Sequence, residues 1–199
     1  MTRYLAEFLG TFALALAVGL SLAGKFPVPT PVVAALTLGV CVYTLGAISG
    51  THINPAITIA LAVIRKIELR DAALYLVAQF AGGGLAYFLT GVILGSHPTV
   101  TAVDSAATFG GEALGTFWLA TGVCAVVLGK APAPAAGLTI GGSLLLGISL
   151  AAPLSNGVLN PAVALGIGSL SAVYVAAPIV GAAVAMLLYR FLAGGSHNS

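Results

Sequence analysis

The tripeptide Asn-Pro-Ala occurs twice, as Asn54-Pro55-Ala56 and as Asn160-Pro161-Ala162. Each copy ends a short polar, glycine-containing stretch and opens a short apolar segment. The stretches read Ser49-Gly50-Thr51-His52-Ile53 and Ser155-Asn156-Gly157-Val158-Leu159. Asparagine is a favoured helix N-cap, and proline is favoured at the first helical position, where its missing N–H is not needed. Both copies therefore predict the start of a short helix, and a helix start carries partial positive charge. Two such ends inside a membrane protein suggest a polar pathway through lipid. A plainer reading, in which both asparagines are only caps, stays open beside it.

Glu7 and Glu112 are charged groups within apolar segments. Intramembrane carboxylates are costly and usually functional. Either they relay protons, or each accepts hydrogen bonds from the irregular backbone that leads into a short helix; the second reading is preferred. His52 stands two residues before Asn54, with no His, Cys or carboxylate at ligand spacing, so it reads as a loop-bracing or pore-lining residue and not a metal ligand. No metal site, cofactor site or nucleophile–base set is read anywhere, which argues against an enzyme. His97 and His197 read as loop and tail residues without a role, and residues 194–199 as a flexible tail. Asp104 reads as a solvated loop charge. Cys41 and Cys124 fall in apolar segments and read as packing thiols, not a disulfide framework.

The elements that must hold these residues follow from composition. Of 199 residues, 59% are hydrophobic and 6% charged, and the mean hydropathy is +1.11. Soluble domains carry roughly 25% charged residues, so the chain reads as an integral membrane protein of one domain, residues 1–199. The net charge of +2 is too small to imply nucleic acid. No cleavable signal is expected, because the first apolar segment runs too long. Six segments are long enough to cross a bilayer: residues 4–22, 31–48, 71–94, 107–128, 135–152 and 172–192. Two more, 55–64 and 161–168, cover only about half a bilayer. A half-length helix cannot end in lipid without stranding backbone groups, so it must be buried or line a wet cavity.

Charge placement predicts orientation. With both termini cytoplasmic, Arg3, Arg65, Lys66, Arg70, Lys130 and Arg190 all face the cytoplasm, and only Lys25 lies outside. The sequence also repeats. Glu7-Phe8-Leu9-Gly10-Thr11-Phe12 matches Glu112-Ala113-Leu114-Gly115-Thr116-Phe117. Tyr75 to Gly82 echoes Tyr174 to Gly181, and 47 positions separate Glu7 from Asn54 where 48 separate Glu112 from Asn160. Three spans per half is an odd number, so the second half, about residues 107–193, enters from the side opposite to the first, about 4–94. That is an inverted repeat whose two Asn-Pro starts should meet near the midplane.

The doubled motif, the two glutamates and the six-span arrangement together resemble the aquaporin, or major intrinsic protein, family over nearly the whole chain. The resemblance implies an all-α membrane protein with six transmembrane helices and two re-entrant half-helices. It also implies a homotetramer with a separate pore in each subunit, in which Asn54 and Asn160 offer amide donors to solute at the pore centre. Physics agrees with a proton barrier there: opposed positive helix ends disfavour a cation, and two donors make the central water donate outward both ways, breaking a proton relay.

One departure from the family pattern bears on substrate. Water-selective members usually place Arg directly after the second motif; here that position is Val163. The familiar filter spacing gives Ala34 where an aromatic usually stands, Ile148 in place of His, and Gly157 as the fourth member. Such a constriction has neither charge nor aromatic bulk. The glycerol-facilitator branch usually keeps the Arg and follows it with Asp, whereas Val163 is followed by Ala164. The chain therefore reads as a passive channel in the cell (plasma or inner) membrane, for water and small uncharged solutes such as glycerol, urea or arsenite-like metalloids. A plain water channel with a degenerate filter and a poorly conducting scaffold remain as alternatives, with an ion-coupled transporter behind them.

Overall fold

A computed structural model of the chain describes residues 1–98, 100–101 and 103–194. The described residues form eight α-helices: α1 (Thr2–Leu22), α2 (Thr30–Ser49), α3 (Pro55–Val63), α4 (Leu69–Leu94), α5 (Ala106–Val127), α6 (Ala136–Ala151), α7 (Pro161–Gly166) and α8 (Ala172–Leu192). A 3₁₀ turn, Ala133–Ala135, leads into α6. Six helices, counting that turn with α6, are long and apolar enough to cross a membrane. Many of their large apolar side chains point outward, among them Leu36, Val77, Phe88 and Phe191. A soluble protein would bury most of these; lipid solvates them.

The two remaining helices are short. α3 has nine residues and α7 six, so at 1.5 Å per residue they span about 14 and 9 Å. α7 stops at Gly166, two residues before the sequence suggests, because Gly168 turns left-handed (φ +70°) and ends the helical path.

Helix pairing runs in parallel in the two halves. α1 packs on α2 and α4, and α5 packs on α6 and α8. Each half-helix crosses into the other half: α3 lies against α8 and α7 against α4. Close approach depends on matched glycines. A Cβ at Gly82 would sit 2.5 Å from the Phe8 carbonyl oxygen, and one at Gly181 would strike the Ala113 carbonyl. Glycine at these points lets the helix backbones touch, which matters where no hydrophobic effect drives helices together. The core is aliphatic and includes Leu14, Leu38, Ile53, Ile57, Leu119, Leu144, Leu159 and Met186.

Candidate functional site: a paired-asparagine cavity

Asn54 and Asn160 are extended N-caps, with φ/ψ of −155/119° and −150/110°. The Asn54 side-chain oxygen accepts the Ala56 N–H at 2.9 Å. The Asn160 oxygen accepts from Ala162 at 3.0 Å and Val163 at 3.3 Å. Each side-chain nitrogen then reaches across the molecule. Asn54 Nδ2 donates to the Leu159 carbonyl and Asn160 Nδ2 to the Ile53 carbonyl, both at 2.9 Å. The two half-helices are thus stapled start to start. An amide nitrogen carries two hydrogens. The staple uses one, and both asparagines line the central cavity.

The residues before each cap hold a conformation that helices and strands do not use. Ile53 (φ +37°) and Leu159 (φ +56°) are left-handed, which is costly for side-chain-bearing residues and most of all for β-branched isoleucine. Buried carboxylates over-determine the geometry. Ile53 N–H donates to Glu7 Oε2 and Leu159 N–H to Glu112 Oε2, each at 2.6 Å. One residue earlier, His52 N–H donates to Glu7 Oε1 at 2.9 Å and Val158 N–H to Glu112 Oε1 at 3.0 Å. Ser49 and Ser155 hydroxyls complete the cradles at 2.7 and 2.8 Å. Those same hydroxyls accept from Thr51 N–H and Gly157 N–H, each at 3.0 Å. Both glutamates are fully buried. Bringing the Ile53 and Leu159 carbonyls to the opposite asparagines needs a turned backbone, and the turned backbone needs an acceptor for its N–H groups inside an apolar helix packing.

The first half carries further polar contacts. Gln79 Nε2 donates to Glu7 Oε2 and to Thr58 Oγ1, both at 2.8 Å. His52 Nδ1 lies 3.2 Å from Thr58 Oγ1, and its ring sits edge-on to Tyr75. The Tyr75 hydroxyl donates to the Ser49 carbonyl at 2.7 Å. In the second half, Asn156 Nδ2 donates to the Tyr174 hydroxyl at 2.8 Å and to the Thr101 carbonyl at 3.1 Å. Sequence reasoning did not single out Gln79, Thr58, Asn156 or the serine pair. The serines could have been found, since both stand five residues before an Asn of the doubled motif. Gln79 was visible only as a polar residue alone in an apolar span.

The cavity encloses about 320 Å³. Ala34, Ile148, Gly157 and Val163 all line it, as do Asn54, Asn160 and His52. Most of the rest of the wall is aliphatic, and no charged side chain lies among its lining residues. Gly157 is left-handed (φ +62°), and a Cβ there would come within 3.1 Å of Ile148 Cγ2, so this wall position admits only glycine without strain. Pro55, Ala56, Pro161 and Ala162 are buried beside the asparagines, and Ala56 and Ala162 supply the capped N–H groups.

The residues left without a role in the sequence are placed as follows. His97 stacks on Tyr87 with centroids 3.8 Å apart. Asp104 is exposed and accepts a hydrogen bond from the Ser171 hydroxyl at 2.6 Å, tying the α4–α5 link to the start of α8. Cys41 and Cys124 are buried free thiols. His197 and residues 195–199 lie outside the described residues. Among the described residues no group of three or more His, Cys, Asp or Glu could hold a metal ion.

Comparison with known proteins agrees with this architecture. The chain is 36% identical to nodulin-26 of Glycine max over 169 residues, covering 79% of this chain and 62% of that protein. It is 36% identical to a probable aquaporin, AqpM, of Archaeoglobus fulgidus over 181 residues, covering 80% and 74%. It is 35% identical to glycerol uptake facilitator protein-like 6 of Lactiplantibacillus plantarum over 225 residues, covering 96% and 98%. The fold superimposes on the crystal structure of the aquaglyceroporin from Plasmodium falciparum with a TM-score of 0.81 at 21% identity, over 98% of this chain and 97% of that one. The family described as major intrinsic protein matches residues 1–189, and on that match and these relatives the chain belongs to the major intrinsic protein family of membrane channels.

Proposed function

We propose that the chain is a passive channel for small uncharged solutes, water among them, and that its pore admits solutes wider than water. One observation carries the reading: the cavity that runs past Asn54 and Asn160 is walled by aliphatic residues and lined by no charged side chain. Asn54 and Asn160 form the pore centre, where the free amide hydrogens receive solute oxygen. The positive ends of α3 and α7 meet there and disfavour cations. Ala34, Ile148, Gly157 and Val163 form the selectivity filter, Glu7 and Glu112 brace the two loops, and His52 braces the first loop and borders the pore. The relative named as a glycerol facilitator supports a solute larger than water.

The two halves, about residues 4–94 and 107–193, act as inverted repeats within one domain, and the matched cradles support that division. Both termini face the cytoplasm, as the distribution of Arg and Lys favours. The channel sits in the cell membrane as a homotetramer with one pore per subunit, the arrangement implied by the resemblance.

Stopped-flow light scattering on proteoliposomes, with water, glycerol, urea and arsenite in parallel, tests this reading. Val163→Arg adds five donors and a fixed positive charge. It should cut the flux of the larger solutes while water is least affected, and adding Ala34→Phe should cut it further. High water flux in the wild type with no detectable flux of the other three would make this a plain water channel. The aliphatic wall favours a second reading, in which the cavity dewets and hardly conducts. Absence of water flux from a well-folded preparation would favour that reading.

A further inference from the structure

Four of the seven Lys and Arg residues of the chain meet in one cleft that shares no lining residue with the central cavity. Arg65 and Lys66 come from the end of α3, Lys130 from the α5–α6 link and Arg190 from the last turn of α8. The apolar remainder of the wall is Ile64, Leu128 and Ala193. These are the C-cap residues of α3, α5 and α8 respectively. The cleft therefore lies where three helices end together, and it encloses about 240 Å³. No carboxylate lines it, and the one ion pair among the described residues, Arg3 with Asp71, lies outside its wall.

Cations at helix C-termini can be explained by the helix dipole alone. Each such end carries roughly −0.5 of a charge, so three supply about −1.5 against four positive side chains. A positive excess remains, drawn together from three separate segments against mutual repulsion.

The backbone gives a second indication. α3 and α5 end in the same cap, in which the residue after the C-cap turns left-handed and the next one donates back five positions. Lys66 N–H reaches the Leu61 carbonyl and Lys130 N–H the Ala125 carbonyl, both at 2.8 Å. The left-handed residue is Gly129 after α5 (φ +67°), as it is Gly168 after α7 (φ +70°), but after α3 it is Arg65 (φ +60°). Arginine is strained where glycine is not. The chain keeps a long cationic side chain at this strained position, and that side chain lines the cleft. Arg190 is aimed there as well, its Nη1 donating to the Ile64 carbonyl at 3.3 Å.

We propose that this cleft is a binding site for a phosphate-bearing anion. A tetrahedral phosphate offers more acceptor oxygens, in more directions and with more negative charge, than a single carboxylate, which suits four cations arriving from three segments at once. Such a group is available as the headgroup of an anionic phospholipid or as a soluble phosphate. Occupancy ties together the ends of α3, α5 and α8. α3 is the half-helix whose other end is Asn54, so the anion stiffens the support of the central cavity.

Thermal unfolding of the purified full chain in detergent tests the site, with phosphatidylglycerol, phosphatidylcholine or inorganic pyrophosphate added at matched ionic strength. The wild type should gain about 2–4 °C in melting temperature with one or both phosphate anions beyond any effect of the zwitterionic lipid. Arg65→Gly removes the charge yet suits the left-handed backbone. Its unliganded melting temperature should be no lower than wild type, and its response to the anion should be lost. Lys130→Gln should lose the response too, while Arg70→Gln and Lys25→Gln, basic positions outside the cleft, should keep it. A response to phosphatidylglycerol alone assigns a lipid headgroup, and a response to pyrophosphate of similar size assigns a soluble anion. The proposal is overturned if neither anion shifts the wild type, or if Arg65→Gly and Lys130→Gln respond as the wild type does.

Discussion

Around Glu7 four donors converge, the Ser49 hydroxyl, the His52 and Ile53 N–H groups and Gln79 Nε2. Around Glu112 there are three: the Ser155 hydroxyl and the Val158 and Leu159 N–H groups. The backbone and serine bonds agree between the halves to within 0.1 Å. The side chains around them do not. Counted from the two asparagines, His52 and Thr58 face Val158 and Ala164; counted from Tyr75 and Tyr174, Gln79 faces Pro178. The shared bonds are therefore the ones that the turned loop requires: two in each half satisfy backbone N–H groups in an apolar packing, and the serine hydroxyl that donates to the same carboxylate accepts a third. The polar additions in the first half are not required by that geometry. They also carry a cost, because Gln79 Oε1 is buried with no partner among the described residues.

The largest effects should come from removing the carboxylates. Glu7→Ala strands four donors and Glu112→Ala three, at about 1–3 kcal/mol for each buried group left unpaired. Both variants should unfold at much lower temperature than wild type, Glu7→Ala the lower of the two. Glu→Gln at either site should fall between, since an amide oxygen still accepts. Equal melting temperatures for wild type, Gln and Ala variants, with an altered pH dependence of flux, would instead favour a proton relay.

The asparagine caps come next. The Asn160 side chain accepts two backbone N–H groups where Asn54 accepts one, while their cross-bonds are alike. Loss of a cap costs about 0.5–2 kcal/mol. Asn160→Ala should therefore destabilise more than Asn54→Ala in the same unfolding assay, and the reverse order would mean that the caps are not what separates them. Asn→Asp at either site keeps the cap acceptor but sets a negative charge where two positive helix ends meet. Cation or proton leak should rise in liposomes, and an unchanged leak in a folded variant would count against a central barrier.

A smaller effect is expected at Gln79. Gln79→Met removes two donated bonds but also the orphan oxygen, so the two terms oppose. The net loss should be about 1 kcal/mol, well short of Glu7→Ala. A loss as large as that of Glu7→Ala would make Gln79 part of the required cradle and erase the distinction between the halves. Smallest of all should be His52→Val, which makes the first loop resemble the second. Its N–H bond to Glu7 survives because it comes from the backbone. Melting temperature should move little, and solute flux on the same proteoliposomes reports whether the imidazole matters to passage.

Several features were legible in the sequence because they depend on local chemistry. Asn followed by Pro marks a helix start through cap and ring geometry, and both short helices begin at those prolines. Span length and apolar composition identify the six long helices, since the bilayer sets the length. The carboxylates stood out because a charge in an apolar span needs a reason. The placement of Gln79, Thr58 and Asn156 was not legible. Each is a common polar residue whose partner lies in another element: 72 positions away from Gln79, in Glu7, and 55 away from Asn156, in Thr101.

By itself, then, the sequence determined the class of the protein, its spans and the two capped starts, because span length, apolar composition and N-cap chemistry are properties of contiguous segments. The tertiary structure decided which groups face each other. Only packing could bring Asn54 Nδ2 to the Leu159 carbonyl across 105 positions, let Ala34, Ile148, Gly157 and Val163 share one wall, and gather Arg65, Lys66, Lys130 and Arg190 at three converging helix ends. Those contacts depend on how closely helix backbones can approach, and that is set by glycines such as Gly82 and Gly181 meeting carbonyls on other helices.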